Sequence, residues 1–271
     1  MSERIYTIVP TPRREAILSM LKRGERVDGR KPDEYREITV ETGIVGNAEG
    51  SARVSIGHTK VIAGVKVSMG TPFSDAPDKG VQIVYAELIP MASPIFEPGP
   101  PDENDVELAR VVDRGLRSSS TIKLEDLAVV PGRHVWRVFI DIYPLDHDGN
   151  LFDASGLAAV AAVLTAKIPK TSISGESTVV VEEEKVPLPV GNAPVFVTVA
   201  KMGDILVVDP CYEEELVMDA RITFAIDKED RVCATQKGGR GSFKPEEVIR
   251  ALDMALSLAP ELRKKLPSTP I

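Results

Sequence analysis

The feature that most constrains the fold is an order of elements that occurs twice along the chain. In the first half, short segments of alternating apolar and polar residues are predicted to be strands. They precede an alanine-rich segment at residues 153–167, which is typical of a helix packed closely on a sheet. In the second half, four predicted strands precede a helix predicted at residues 245–258, with Ile249 among its inward residues. Strands followed by a packed helix, twice, indicate an α+β fold with two similar halves. The repetition lies in the order of elements and not in residue identity.

The length of 271 residues accommodates two such halves. A helix is predicted near the start, so residues 1–25 are interpreted as an N-terminal helical extension. A polar, proline-bearing stretch at residues 172–191 is interpreted as the boundary region between the halves. The predicted first half is therefore 26–175 and the predicted second half is 176–271.

Charge and composition exclude some classes of protein. The formal net charge of -8 argues against a protein that coats nucleic acid nonspecifically, although it leaves room for a local basic groove. Two cysteines are too few for a disulfide framework and suit a reduced compartment, so we expect a cytoplasmic protein. The longest apolar run, residues 157–164, is far shorter than the roughly 20 residues that cross a bilayer, and no membrane partner is expected.

A helix predicted around residues 107–117 has an unusual polar face. At about 100° per residue its apolar residues fall on one side, and Arg110, Arg114 and Arg117 fall together on the other. Asp113 lies only at the edge of that face. Two interpretations remain open from the pattern alone. The arginines are either the solvated side of a core helix, or an anion site, because guanidinium groups suit phosphate oxygens.

Motifs of several common active sites are missing. The three histidines are scattered without triad or metal spacing, and no phosphate-binding P-loop or dinucleotide fingerprint occurs. The densest acidic group, residues 213–215 with Asp219, is either a place where a divalent ion binds through oxygens or a solvated acidic loop. We predict neither a metal site nor a cofactor in this chain.

Several segments in a fixed order resemble the RNase PH family, 3′-to-5′ exoribonucleases that use inorganic phosphate to cleave RNA. These segments are Val27-Asp28-Gly29-Arg30 with Glu34-Tyr35-Arg36, residues 50–54, residues 57–61, residues 107–117, and the turn Asp148-Gly149 with the helix after it. The resemblance covers nearly the whole chain. It implies the RNase PH fold, with duplicated β-β-α-β-α halves of the ribosomal protein S5 domain 2-like type. The N-terminal extension, Asp209-Pro210 and residues 218–220 resemble the branch of non-catalytic ring subunits of the archaeal exosome.

One loop departs from the active members of the family. The resemblance implies that their Asp-Gly turn continues with a small residue, then Thr or Ser, then Arg, and that this loop holds phosphate at the start of a helix. Here the turn continues with Asn150, Leu151 and Phe152. Leu151 has no hydroxyl group and Phe152 has no positive charge, so desolvating phosphate against them would be costly. We therefore predict a degenerate phosphate loop.

The acidic residues depart as well. The resemblance implies two aspartates on adjoining turns, which bind metal or transfer a proton. Asp219 matches the second, whereas the first falls within residues 213–215, in a segment that looks shortened. We interpret Asp219 as a relict acidic site and predict that the chain has no catalytic residue of its own.

The resemblance also implies a ring in which three catalytic and three silent subunits alternate, with each active site at a subunit junction. Arg110, Arg114 and Arg117 match the helix that faces bound RNA there, so we expect this chain to bind RNA, to support the ring and to supply these arginines to its neighbour's site. The expected partners are a catalytic RNase PH-like subunit, cap proteins with S1- or KH-type RNA-binding domains, and single-stranded RNA. Phosphate, with or without Mg²⁺, is expected at the partner's active site.

Two other functions remain open from the sequence. The chain could be a self-sufficient phosphate-dependent 3′-to-5′ exoribonuclease that uses Asp219 and a nearby glutamate. It could also be a binding module for an unrelated acidic ligand, which the resemblance disfavours.

Overall fold

The computed structural model describes residues 11–174 and 178–268, with the side chains of residues 11 and 178 left out. The first half contains α1 (Thr11–Lys22), β1 (Ile38–Thr42), β2 (Gly50–Ile56), β3 (Thr59–Gly70), β4 (Val81–Ala86), α2 (Glu103–Ser118), β5 (Ala128–Val130), β6 (His134–Asp146) and α3 (Leu151–Thr165). After these come β7 (Lys167–Ser174), β8 (Thr178–Pro187), β9 (Val195–Met202), β10 (Ile205–Val208), α4 (Tyr212–Val217), β11 (Ala220–Ile226), β12 (Val232–Gly238) and α5 (Pro245–Arg263).

The strands form two main sheets. The first has the order β1-β2-β3-β6-β4, with β5 paired to β6, and all its pairs are antiparallel except that of β4 with β6. The second has the order β10-β9-β11-β12 and is antiparallel throughout. This arrangement confirms the predicted α+β class.

Alternating residues of the first sheet build its half of the core. Ala52, Val54 and Ile56 of β2 are completely buried, and so are the alternate residues Val138, Ile140 and Ile142 of β6. Because successive side chains of a strand point to opposite faces, these residues form the inner face of the sheet, where α2 and α3 pack.

Helix α3 lies between the two sheets and is buried on every side. Its small residues permit this, because a Cβ atom added at Gly156 would lie 2.2 Å from Cδ2 of Phe196 on β9. Gly115 of α2 has the same role, since its added Cβ would lie 2.3 Å from Cζ of the same ring. These two glycines bring the second sheet against the helices of the first half.

The second sheet is covered on both of its faces. Phe196 faces α2 and α3, whereas Lys201 on the opposite face bonds Glu247 of α5, and β9 is buried along its whole length. Helix α1 packs on the α3 side of this sheet through Ile17 and Leu21. On the first sheet, α2 and α3 cover the inner face.

One expectation needs correction, and two fall on residues that the structure does not describe. The polar stretch at residues 172–191, interpreted as the boundary region between the halves, contains β8 and the end of β7, which pair as a two-stranded hairpin. In α5, Ile249 is 58% exposed, and the buried stripe consists of alanines such as Ala251 and Ala255. Residues 1–10 of the predicted extension and the predicted boundary between residues 175 and 176 lie outside the described residues.

Candidate functional site

Helix α2 begins at a capping box. The Asp102 carboxylate accepts the backbone N–H of Asn104 at 2.7 Å, and the Asp105 carboxylate accepts the N–H of Asp102 at 2.8 Å. The helix buries Leu108 and Leu116 in the core. This orientation places the predicted arginine face on the outside.

The structure distinguishes among the three arginines. Arg110 and Arg114 are exposed and make no hydrogen bond or ion pair within the described residues. Arg117 is exposed too, but it pairs with Asp113 at 3.0 Å and donates to the carbonyl oxygen of Gln82 at 3.2 Å. The helix therefore presents two uncompensated guanidinium groups and one that is largely neutralised.

The acids beside these arginines are occupied by other groups. Glu107 accepts a hydrogen bond from Arg221 of β11 at 2.7 Å. Asp113 accepts one from the side chain of Gln82 on β4 at 2.8 Å, in addition to its pair with Arg117. Because neither acid pairs with Arg110 or Arg114, the geometry favours an anion site over a solvated face of mixed charge.

Arg114 also lines a shallow cleft between α2 and the edge strand β12. Val111, Thr235 and Gln236 line the same cleft, and Phe196 is among the residues beneath it. The arginine face is therefore continuous with the edge of the second sheet.

The turn before α3 is fixed by both halves of the chain. Gly149 has a φ of +85°, and a Cβ added there would lie 2.5 Å from the carbonyl oxygen of Pro210. From the first half, Thr59 Oγ1 and Arg36 Nη2 donate to the carbonyl oxygen of Gly149 at 2.6 and 3.2 Å. The predicted phosphate loop thus starts from a rigid turn.

Asn150 donates hydrogen bonds to three carboxylates of the chain. It is completely buried at a φ of +56°, a region that asparagine tolerates. Its Nδ2 donates to Asp153 and to Asp209, both at 2.8 Å. Its backbone N–H donates to Oε1 of Glu215 at 2.8 Å. The Glu215 carboxylate, a group of the chain itself, therefore accepts the hydrogen bond of a backbone N–H at the start of α3.

Leu151 and Phe152 are both buried. The Arg221 guanidinium carbon lies 4.5 Å from the centroid of the Phe152 ring, and this arginine also pairs with Glu107. Arg221 is thereby committed to protein groups. These contacts support a degenerate phosphate loop, which stays a prediction.

The acidic residues 213–215 lie on α4, a short helix that the sequence analysis missed. Glu213 pairs with Arg13 of α1. Glu214 is completely buried and binds Arg26 through both oxygens, at 2.6 and 2.8 Å. The interpretation as a solvated acidic loop is therefore wrong.

Asp219 is paired as well. Its carboxylate accepts a hydrogen bond from Arg14 at 2.7 Å and another from the backbone N–H of Gly203 at 2.7 Å. Across residues 11–174 and 178–268, no three His, Cys, Asp or Glu side chains are grouped so that they could hold a metal ion.

The centre of the site is Asp209, which the sequence named only as part of the resemblance and not as a site residue. It is completely buried and accepts hydrogen bonds from Arg30, Arg36 and Asn150 at 2.7–2.9 Å. Burial opposes ionisation, but Arg36 and Arg30 outweigh it and hold the pKa of Asp209 below its ordinary value. Asp209 thereby joins the arginine-bearing segment 27–36, the turn before α3 and the second half, so this segment clamps the two halves together.

Asp153, at the first turn of α3, is a second buried carboxyl group, and no cation contacts it within the described residues. Tyr35, Asn150 and Thr198 donate hydrogen bonds to it. Burial outweighs these bonds and raises the pKa of Asp153 to about 7.

Replacing Asp153 with asparagine is expected to alter how stability depends on pH. The folded-state pKa of about 7 lies above the ordinary pKa of 3.8, so the stabilising contribution of this group is complete below pH 3.8 and is lost as the pH rises to about 7. The loss should follow a slope of about 1.4 kcal/mol per pH unit. The measurement is the free energy of urea unfolding for both proteins across this range.

The difference between wild type and Asp153→Asn isolates this group. Burial lowers the pKa of His147 to about 4, which affects both proteins in the same way and cancels in the difference. The free energy of unfolding of the wild type, relative to that of Asp153→Asn, should fall as the pH rises. A difference that stays constant from pH 4 to 7 would contradict the assignment.

Comparison with protein-family models matches both halves of the chain. Residues 34–169 match domain 1 of the 3′ exoribonuclease family, the RNase PH family, and residues 192–257 match domain 2. The chain therefore belongs to this family, and the predicted RNase PH fold is confirmed.

Individual relatives are similar over almost the full chain. An exosome complex component Rrp42 from Thermococcus gammatolerans is 54% identical over 254 residues, which cover 93% of each chain. One from Methanopyrus kandleri is 47% identical over 253 residues, which cover 93% of this chain and 94% of the relative.

Two solved structures have the same fold. A chain of the Archaeoglobus fulgidus exosome with RNA bound to the active site has a TM-score of 0.87 and 45% identity, covering 94% of this chain and 97% of that one. A chain of an archaeal exosome core has a TM-score of 0.83 and 42% identity, covering 94% and 96%. In the part of this chain that the structure describes, no helix is long and apolar enough to cross a membrane.

Proposed function

We propose that this chain is a non-catalytic, RNA-binding and structural subunit of an archaeal exosome. It would alternate with a catalytic RNase PH-like subunit in a six-membered ring that degrades RNA from the 3′ end with phosphate. The observation that carries the RNA-binding role is the pair Arg110 and Arg114, exposed on α2 without a counter-charge in the described residues. Support for the assembly comes from relatives that are named exosome components and from similar chains in exosome structures.

The two guanidinium groups suit contact with the RNA backbone. Contacts to phosphate hold a strand without reading its sequence. On a helix, residues four apart lie on one face at a rise of about 6 Å, so Arg110 and Arg114 can contact one strand together. Arg117 has its charge largely balanced by Asp113, so its contribution would be smaller.

Catalytic silence rests on the contacts of the loop and the acidic residues. Glu215 accepts the backbone N–H of Asn150, and the buried Phe152 lies against Arg221. Asp219 accepts hydrogen bonds from Arg14 and from the backbone N–H of Gly203, and within the described residues it belongs to no group of side chains that could hold a metal ion. In this proposal the phosphate, and any Mg²⁺ that the reaction needs, bind at the active site of the catalytic partner, while cap proteins with S1- or KH-type domains supply further RNA contacts.

Phosphorolysis assays on the purified proteins test this division of roles. Single-stranded RNA, phosphate and magnesium are incubated with this chain alone, with the catalytic subunit alone and with both, and released nucleoside diphosphates are measured. We expect no release by this chain alone and the fastest release by the mixture. Omitting phosphate is the control, because it should stop the reaction of the mixture.

Release of nucleoside diphosphates by this chain alone would overturn catalytic silence and favour a self-sufficient exoribonuclease. Failure of the two chains to assemble, or a mixture no faster than the catalytic subunit, would overturn the proposed role in the ring.

A further inference from the structure

Helix α2 lacks an ion pair that its own sequence favours. Glu107 precedes Arg110 by three residues, a spacing at which an acid and a base on a helix meet and pair. Arg110 is nevertheless exposed and makes no hydrogen bond or ion pair within the described residues. The Glu107 carboxylate instead lies 2.7 Å from Nη2 of Arg221 on β11. A residue outside the helix therefore decides whether Arg110 is neutralised.

The second acid within reach of Arg110 is also held by other groups. On a helix the neighbours of Arg110 lie three and four positions away, and among them only Glu107 and Asp113 are acidic. Asp113 accepts hydrogen bonds from Gln82 of β4 at 2.8 Å and from Arg117 at 3.0 Å. Both acids that could neutralise Arg110 are therefore occupied, and Glu107 is the one that depends on the second sheet.

Two neighbours fix the side chain of Arg221. Its guanidinium carbon lies 4.5 Å from the centroid of the Phe152 ring, a distance that suits a cation–π contact. Gly238 is paired with Arg221 in the register of β11 and β12, and a Cβ added at Gly238 would lie 2.8 Å from the same guanidinium carbon. The Arg221 side chain is 17% exposed. Its orientation toward Glu107 is therefore set by packing as well as by charge.

Gly238 has no backbone reason to be glycine, because its φ lies outside the left-handed region. The three atoms nearest to an added Cβ all belong to the Arg221 guanidinium group, at 2.8–2.9 Å. Glycine weakens the interior of a strand and often marks a place that another group approaches closely. Here the approaching group is the guanidinium that holds Glu107, so the glycine preserves that contact.

We propose that Arg221 is a positioning residue for RNA binding, which holds Glu107 against the second sheet and so keeps the Arg110 guanidinium free for an RNA phosphate. Arg221 itself does not contact the RNA. The inference rests on the proposed function, which supplies the RNA. When Arg221 is removed or displaced, Glu107 is free to pair with Arg110, and the helix presents one uncompensated guanidinium group instead of two.

The contacts of Arg221 disfavour a direct role in holding RNA. Its charge is balanced by Glu107, and its guanidinium group lies against Phe152 and Gly238. Gln236 also donates to Glu107, but at 3.4 Å, so it is the weaker of the two groups that hold this acid. Loss of Arg221 should therefore act on RNA binding through Glu107.

Arg221→Met removes the positive charge and keeps an unbranched side chain beside the Phe152 ring. We expect single-stranded RNA to bind the assembled complex about 5-fold more weakly near 0.1 M salt, because neutralising Arg110 removes one phosphate contact. The slope of log affinity against log salt should fall by about 0.7. Fluorescence anisotropy of a labelled RNA across a salt series measures both quantities.

Gly238→Ala tests the same contact without changing any charge. The added Cβ displaces the guanidinium group of Arg221, a flexible side chain, so the strand itself should form normally. Affinity and slope should fall as in Arg221→Met, by up to about 5-fold and 0.7. Sedimentation must show intact complexes for each variant, and either variant carries the test if the other does not assemble.

Rescue by Glu107→Gln distinguishes the proposed role from a general effect on structure. Added to Arg221→Met or to Gly238→Ala, it should restore affinity to within about 2-fold of wild type, because the acid that neutralises Arg110 is then uncharged. Glu107→Gln alone should not weaken binding. The matched control is Arg250→Met, which removes an exposed arginine of α5 and should change affinity less than about 2-fold.

Wild-type affinity in either assembled variant would overturn the inference. Weaker binding that Glu107→Gln does not restore would overturn it as well, because Arg221 would then contact RNA directly or support the fold. The joint replacement of Arg110 and Arg114 with alanine separates the two levels of the argument. If it weakens RNA binding while the Arg221 and Gly238 variants do not, only this inference fails. If none of them weakens binding, the RNA-binding role in the proposed function is wrong too.

Discussion

Replacing both Arg110 and Arg114 with alanine is expected to weaken the binding of single-stranded RNA to the assembled complex about 25-fold near 0.1 M salt. Each phosphate contact on a single strand contributes about 0.7 to the slope of log affinity against log salt. Loss of two contacts should therefore reduce the slope by about 1.4, which is about 25-fold in affinity near 0.1 M. Fluorescence anisotropy of a labelled RNA across a salt series measures both quantities.

The control removes the same charge elsewhere. Arg250 and Lys265 are exposed on and just after α5, which covers the opposite face of the second sheet, and replacing both with alanine should change the affinity less than about 2-fold. Arg117→Ala should have a smaller effect than Arg114→Ala, because Asp113 already neutralises Arg117. Sedimentation must show intact complexes. Affinity and slope that are unchanged in the double variant would contradict an RNA-binding role for this face.

Short-range periodicity accounts for the parts of the fold that were predicted. Alternating segments predicted strands in the first half, and in β2 the alternate residues Ala52, Val54 and Ile56 are completely buried. The arginine face was predicted in the same way, since a helix that buries Leu108 and Leu116 must direct Arg110 and Arg114 outward. Patterns of this kind depend on residues within a few positions of each other, which a sequence displays directly.

Hydrophobicity alone placed one residue of α5, Ile249, on the wrong face of the helix. Isoleucine ranks above alanine as a core residue, so Ile249 was expected inside, but it is 58% exposed. The buried stripe of Ala251, Ala255 and Ala259 lies against the sheet, where small side chains let the helix approach closely. Whether a helix packs at a short or a long distance depends on its partner, which local sequence does not reveal.

Pairing over long distances explains what was missed at the site. Asp209 binds Arg36, 173 residues earlier, and Asp219 binds Arg14, 205 residues earlier. Local sequence does not reveal these pairs, because exposed acids and paired acids have the same local pattern. The resemblance identified the arginine-bearing segment 27–36. Only the fold shows that this segment clamps the two halves together.

The strongest effect on stability is expected from Glu214→Gln. The side chains of Arg26 and Glu214 are both 0% exposed and form an ion pair at 2.6 Å between the segment after α1 and helix α4. Neutralising the acid leaves the Arg26 charge buried without its counter-charge, which should cost about 3–5 kcal/mol in the free energy of unfolding. Urea unfolding of the isolated chain, followed by circular dichroism, measures this loss.

The neighbouring glutamate gives the control with matched chemistry. Glu213 pairs with Arg13, but their side chains are 37% and 53% exposed, so Glu213→Gln should cost less than about 1 kcal/mol. If the two variants lose equal amounts of unfolding free energy, burial does not determine how much each ion pair stabilises the fold. Replacing Arg26 and Glu214 together, with methionine and leucine, should recover much of the stability, because no buried charge then remains uncompensated. A double variant that is as unstable as Glu214→Gln would instead indicate that the hydrogen bonds from Arg26 to the carbonyl oxygens of Val208 and Asp209, at 2.9 and 2.8 Å, hold the two halves together.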